Sequence, residues 1–232
     1  MKTWIGTSGF QYSEWKGTFY PEDLPANKML PYFAERLRTT EINYTFHRIP
    51  SAKTIENWKV QTPENFRFAL KAPQKITHFA KLRDCQDTLG YFCKVIADLG
   101  PRLGPVLFQL PPNFKKDAEV LRSFLRELPR VRAAFEFRHP SWLDEEIFEL
   151  LRAGNIALCL ADTEKLPAPT TVTADYGYLR LRREDYTADD VARWTEFVRQ
   201  QATKWQEAFV YFKHEESGIG PKLAQQMIEL LE

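Results

Sequence analysis

"AAFEFRHPSW", residues 133–142, is the stretch on which the reading of this chain turns. It has the aromatic content of a buried strand and no turn former before Pro140. Strand side chains alternate with period two. Ala134, Glu136 and Arg138 therefore share one face, and Ala133, Phe135 and Phe137 share the other. One face is apolar, and the other presents an acid and a base together. Such a strand needs a setting in which its second face meets something polar.

Working outward from this stretch, short apolar segments recur along the chain. They lie at 3–9, 39–46, 66–73, 104–112, 132–138, 156–162, 176–183 and 208–214. Amphipathic stretches alternate with them. Helices are predicted near 28–38, where Met29, Tyr32, Phe33 and Leu37 have helical spacing, and after a Ser51 cap. Further helices are predicted near 86–99, 117–128, 143–153, 188–204 and 221–231. Eight strands with intervening helices imply an α/β fold, a single (β/α)8 TIM-type barrel over 1–232, where ~250 residues is typical. No amphipathic pattern links Asp162 to Tyr176, so the unit between strands six and seven is expected to be irregular. An open doubly wound sheet is the alternative. It lacks its phosphate fingerprint, because "GTSG" after the first strand is not G-x-G-x-x-G.

Bulk properties exclude several classes. Hydrophobic residues make up 44% and charged residues 27%, the ordinary balance of a globular protein. A net charge of +1 supplies no global attraction to nucleic acid or membrane. No apolar run approaches the ~20 residues of a membrane span. Lys2 precedes no long apolar run, so no signal peptide is expected. Cys85, Cys93 and Cys159 have no CxxC spacing and indicate neither a disulfide framework nor a zinc site. A reduced, cytoplasmic protein is expected.

In a barrel, one face of each strand meets the helices and the other faces the interior. With the bulkier apolar face outward, the inward sets are Glu41 and Asn43; Ala69 and Lys71; Leu107 and Gln109; Glu136 and Arg138; Arg180 and Arg182; Tyr211 and Lys213. On the sixth strand Leu158, Leu160 and Asp162 are assigned inward. Most sets place a polar residue toward the C-terminal end, where barrel enzymes carry their sites. A charge aimed into a packed interior costs several kcal/mol unless paired or wet. Three acids, Glu41, Glu136 and Asp162, meet five bases, Lys71, Arg138, Arg180, Arg182 and Lys213. The excess of bases points to an anionic ligand, since guanidinium binds oxyanions bidentately. The acids suit general acid/base work or a hard divalent cation such as Mg²⁺. A network of salt bridges plugging the mouth is the plainer reading of the same residues.

At this point the sequence resembles the domain-of-unknown-function 72 family, the YecE-like proteins. The resemblance rests on "GTSGFQYSEWKGTFYP" at 6–21, "TEINYTFHRIP" at 40–50, "FRFALKAPQKITH" at 66–78, "GPVLFQLPPNF" at 104–114 and "FEFRHPSW" at 135–142. It implies a (β/α)8 barrel and supplies no settled reaction. The C-terminal third departs from the family pattern. The seventh strand usually reads Arg-x-His-Gly; here Arg180 matches, but Arg182 and Arg183 replace the His and Gly. The eighth strand usually ends in an Asn-rich turn; here it ends Lys213-His214. Those changes imply a more anionic ligand than its relatives take, or one bound differently.

The remaining candidates surround the same mouth. Gly218 and Gly220, before the last helix, could open backbone N–H groups to a phosphate, or simply form a turn. His78 and His139 lie in the family-like motifs; His139 joins the catalytic candidates and His78 the binding ones. Tyr12, Trp15 and Trp142 could stack on a ligand, although such rings more often pack a long loop. Ser8 lacks the GxSxG spacing of a hydrolase nucleophile and reads as a turn or ligand contact. The leading expectation is an enzyme, a hydrolase or isomerase, acting on a small phosphorylated or carboxylated, sugar-like molecule. Glu136 would be the acid/base, with Glu41, Asp162 and His139 assisting or Glu41 and Asp162 holding a divalent metal. No organic cofactor is indicated. Ser8, Tyr12, Trp15, Asn43, Lys71, His78, Gln109, Arg138, Trp142, Arg180, Arg182 and Lys213 would contact substrate. A nucleic-acid-binding or nuclease-like barrel and a non-catalytic ligand-binding barrel are the alternatives.

Overall fold

Among the described residues, eight parallel strands close on one another in chain order. They are β1 (Lys2–Ser8), β2 (Thr39–Ile42), β3 (Arg67–Lys71), β4 (Leu103–Gln109), β5 (Ala133–Glu136), β6 (Ala157–Asp162), β7 (Tyr176–Leu181) and β8 (Glu207–Phe212). The structure is a computed structural model describing residues 1–163, 169–214 and 218–232. The ring closes where β1 pairs with β8, from Lys2 opposite Glu207 to Thr7 opposite Phe212. On the other side of β1, a Cβ at Gly6 would overlap the Thr39 carbonyl, so glycine permits that close approach.

The helices are α1 (Met29–Ala34), α2 (Tyr44–His47), α3 (Ala52–Val60), α4 (Gln86–Ala97), α5 (Ala118–Glu127), α6 (Glu145–Ala153), α7 (Ala188–Gln200) and α8 (Ile219–Leu231). Ser51 caps α3 as the sequence predicts, its side chain accepting from Thr54 N–H. Asp144 and Thr187 do the same for α6 and α7. The predicted irregularity lies after β6. Thr163 and residues 169–175 carry neither helix nor strand, and 164–168 lie outside the described residues. Residues 215–217, before α8, also lie outside them.

Several strands end earlier than their sequence pattern suggests. The chain leaves β2 after Ile42 and makes the single turn α2. Thr45 Oγ1 approaches Lys71 O at 2.6 Å and Ile42 O at 3.1 Å, occupying carbonyls that a longer ladder would use. Phe46 is thereby carried over the mouth instead of continuing a strand.

Two apolar layers follow from the alternation of each strand. Phe68, Leu70, Val106, Phe108, Phe135, Leu179, Leu181, Val210 and Phe212 pack outward with the helices. Ala69, Leu107, Ala134, Tyr178, Phe209 and Tyr211 fill the interior with Trp4. The β6 assignment is reversed. Leu158 and Leu160 belong to the outer layer, while Ala157, Cys159 and Ala161 line the inner one. The physical reason is the one that governs β3, β4 and β5: the larger side chains fill the gap to the helices.

Candidate functional site

Arg180, on the inward face of β7, is the centre of the mouth. It is 2% exposed and reaches across the barrel to two carboxylates. Its Nη2 donates to Glu41 Oε1 at 2.8 Å, and its Nη1 donates to Glu136 Oε2 at 2.5 Å. Ser8 Oγ, at the end of β1, donates to Glu41 Oε1 at 2.5 Å and accepts from Asn43 Nδ2 at 2.8 Å. Tyr178 OH donates to Glu41 Oε2 at 2.7 Å. Each Glu41 oxygen is therefore satisfied in a site closed to water.

Glu136 carries the network outward. Its Oε1 accepts from Arg138 Nε at 2.9 Å, and Arg182 Nη1 lies 3.6 Å away. Arg138 and Arg182 are half-buried, on the rim of the cluster. Burial alone would raise the Glu136 carboxyl, but Arg180, Arg138 and Arg182 outweigh it and hold it down at about 2. Burial acts likewise on Glu41, and Arg180 with the Ser8 and Tyr178 hydrogen bonds keeps it below the ordinary carboxylate range. Both acids are ionised at neutral pH. The two carboxylates raise Arg180 above its ordinary value against its own burial.

Lys71, at the end of β3, is different. Its Nζ lies 4.1 Å from the Phe46 ring centroid and has no hydrogen-bond or ion-pair partner among the described residues. Burial, then Arg180, depresses it to about 8, against the pull of Glu41 and Glu136. His78 sits in the π-helical turn Lys75–Phe79, edge-on to Phe46 at 4.8 Å, with Nδ1 2.9 Å from Thr77 Oγ1. Burial, then Lys71 and Arg138, lowers its pKa from 6.5. Gln109, paired in register with Glu136, is buried with Oε1 unpartnered.

The structure thus gathers Ser8, Glu41, Asn43, Lys71, His78, Gln109, Glu136, Arg138, Arg180 and Arg182. Lys213 continues the inward face of β8 just beyond Tyr211, its N–H donating to Leu181 O. Tyr12 lies beside this group, half-buried, its hydroxyl donating to Ser8 O at 2.9 Å. Other candidates lie elsewhere. Asp162 faces away from the mouth, where its Oδ2 accepts from Tyr186 OH at 2.7 Å and Trp194 Nε1 at 3.1 Å. It therefore shares no cation site with Glu41. Trp15 and Trp142 are fully buried and present no surface to a ligand. Trp15 stacks on Tyr20 to anchor the loop after β1. Trp142 lies flat on Phe137 at 4.9 Å and donates from Nε1 to Phe114 O at 2.6 Å. His139 holds its own turn: its Nδ1 lies 2.8 Å from Ser141 Oγ and accepts Ser141 N–H at 3.2 Å.

Gly218 and Gly220 are packing positions. Gly218 is buried in a left-handed conformation, φ +67°, that starts α8, and a Cβ on it would strike Thr18. A Cβ on Gly220 would lie 3.1 Å from His214 O. Neither faces an open cradle. Tyr178 is a site residue that sequence reasoning missed. Tyr178 was within reach of it, since period two places 178 on the face of Arg180. Among the described residues no group of three or more His, Cys, Asp or Glu is placed to hold a metal ion.

The fold and this mouth define a (β/α)8 barrel whose C-terminal strand ends carry a buried arginine–carboxylate cluster. The chain belongs to the family described as protein of unknown function DUF72, whose model matches residues 4–232. It is 34% identical to the UPF0759 protein YecE of Escherichia coli over 115 residues. That match takes in 49% of this chain and 42% of YecE, so it spans less than half of the relative's length. The UPF0759 protein YunF of Bacillus subtilis is 23% identical, over 99% of this chain and 94% of that protein. The crystal structure of a DUF72 family protein from Thermotoga maritima is 27% identical, with a TM-score of 0.85 over 100% of this chain and 99% of that one. The family resemblance and the barrel expected from the sequence are both borne out.

Proposed function

We propose that the barrel mouth receives a small anionic substrate, a phosphorylated or carboxylated molecule. The protein would act on it as an enzyme whose proton-transfer groups are Lys71 and His78. The observation that carries this reading is the charge imbalance of the cluster. Four cations, Arg180, Arg138, Arg182 and Lys71, face two carboxylates, Glu41 and Glu136, an excess of two positive charges. Half-buried guanidiniums in excess of their carboxylate partners favour an incoming oxyanion. Arg180 is consumed by its two acids, which leaves Arg138 and Arg182 at the rim to meet the ligand.

Glu136 takes a different role from the acid/base expected above. A carboxylate held at about 2 is a poor proton donor at neutral pH; it serves as the fixed anion that aims Arg138 and Arg182. Lys71, near 8, exchanges protons in the physiological range. The three cysteines are buried and free, which suits a reducing cytoplasm. No helix among the described residues is long and apolar enough to cross a membrane.

The test is calorimetric titration at low ionic strength with inorganic phosphate, sulfate and small carboxylates. Saturable one-to-one binding is expected, weakened tenfold or more in Arg138→Gln and Arg182→Gln. If none of these anions is bound, and the two variants match the wild type, the reading is wrong.

A further inference from the structure

We infer that Lys71 is a nucleophile that forms an imine with the carbonyl carbon of an anionic aldehyde or ketone, the substrate class of the mouth described above. The inference rests on the anion-binding reading and narrows it to carbonyl compounds.

Three observations of geometry converge on Lys71. It stands at the C-terminal end of β3, on the inward face that also carries Ala69. Its ammonium is the only cation of the set Lys71, Arg138, Arg180 and Arg182 without a carboxylate partner. No hydrogen bond or ion pair therefore has to be broken for Nζ to bond a substrate. The Phe46 ring lies 4.1 Å from Nζ and covers the amine on that side, and Lys71 is largely buried. A lysine is activated for attack by such desolvation beside other cations. The burial and the Arg180 charge that lower Lys71 act in that same direction. The rim arginines would hold the substrate's anionic end while Lys71 meets its carbonyl. Gln109, on the neighbouring strand, offers a buried amide oxygen without a partner to a hydroxyl or N–H formed during the addition.

The step balances without a further reactant. The Nζ lone pair forms the C–N bond as the carbonyl π pair moves onto oxygen. The two amine protons are delivered to that oxygen, which leaves as water, and a C=N bond remains. No oxidant or reductant enters.

The test uses the whole protein and pyruvate as probe, with sodium cyanoborohydride to fix any imine as a stable secondary amine. Peptide mapping by mass spectrometry reads the position. One adduct per chain at Lys71 is expected. It should be slowed at least tenfold by saturating sulfate, absent in Lys71→Arg, and faster as pH rises from 7 to 9. Adducts scattered over surface lysines with none at Lys71 would overturn the imine. Sulfate titration of the same wild-type sample separates the two readings. If sulfate binds while Lys71 stays unmodified, the imine fails and the anion site stands. If sulfate does not bind, the anion site itself fails. The wild-type map needs no variant to fold, and a thermal melt of Lys71→Arg checks that its loss of adduct is not loss of structure.

Discussion

Arg180 and Glu41 meet across the barrel from β7 and β2, 2.8 Å apart and closed to water. They lie 139 positions apart in the chain. Their pairing, extended by Glu136, adds a charged layer to an interior otherwise filled by apolar side chains such as Leu107, Ala134 and Phe209. A buried ion pair contributes little net stability against an apolar substitute, but removing one partner is severe. Arg180→Met should therefore cost about 3–5 kcal/mol, the penalty of leaving a buried charge uncompensated. Urea unfolding at pH 7 measures it. A cost under about 1 kcal/mol would show that water reaches these carboxylates.

Acid should act on the wild type through the same acids. Glu136 is held at about 2 when folded, against an ordinary 4.5. A depressed carboxylate adds stability above its unfolded pKa and loses that stability as pH falls through the folded value. Glu41 is shifted in the same direction. The unfolding midpoint should thus decline as pH drops from about 4.5 toward 2. In Arg180→Met the sign reverses for Glu41, because burial then acts without its cation. That variant should gain stability on mild acidification. Urea midpoints across pH 2–7 for both proteins would decide the point, and parallel curves would contradict it.

Asp162 provides a contrast. It is an acid at a strand end, yet its partners are Tyr186 and Trp194, with Arg183 3.7 Å away. Asp162→Ala leaves a half-buried hydroxyl and a buried indole N–H short of an acceptor, at about 1–3 kcal/mol. Sulfate affinity should change less than twofold. A large loss of affinity with unchanged stability would return Asp162 to the site.

What the sequence made legible follows from side-chain size. On β2, β3, β4 and β5 the outward face carries the larger apolar residues, so period two alone placed Glu41, Lys71, Gln109 and Glu136 in the interior, and on β7 Arg180 alternates with the outward Leu179 and Leu181. On β6 both faces are apolar, and the acid at its end was aligned with the other acids. Its true partners come from the segment after β7 and from α7, and nothing within 156–162 announces them. The arginine cluster was visible as a set of residues at one end. That a single guanidinium would occupy both acids was not, because the contact depends on the diameter of the closed ring. The capping of α3 by Ser51 was legible since it is local.

Trp142 separates packing from binding. It closes "AAFEFRHPSW" by lying on Phe137 and bonding Phe114 O. Trp142→Ala should cost about 3–5 kcal/mol through lost burial and the cavity left behind. Trp142→Phe should cost less and leave sulfate affinity within twofold. If Trp142→Phe instead abolished binding at full stability, the ring would have to reach the ligand.

Lys71 sets the pH profile of the mouth. Sulfate keeps its charge from pH 6 to 10, so any change in its affinity over that range belongs to the protein. Lys71 is a cation below about 8 and neutral above it. A bound anion favours the cation, so affinity should be flat at low pH and fall as pH rises through about 8 and beyond. The drop should be about five- to tenfold, the effect of one half-buried charge worth about 1 kcal/mol or slightly more. Lys71→Met should bind sulfate at the weaker level throughout and show no such limb. Arg138→Gln should weaken binding at every pH yet keep the limb, because its guanidinium does not titrate there. Calorimetry of the three proteins across this range distinguishes the roles. A limb that persisted in Lys71→Met would assign the titration to another group.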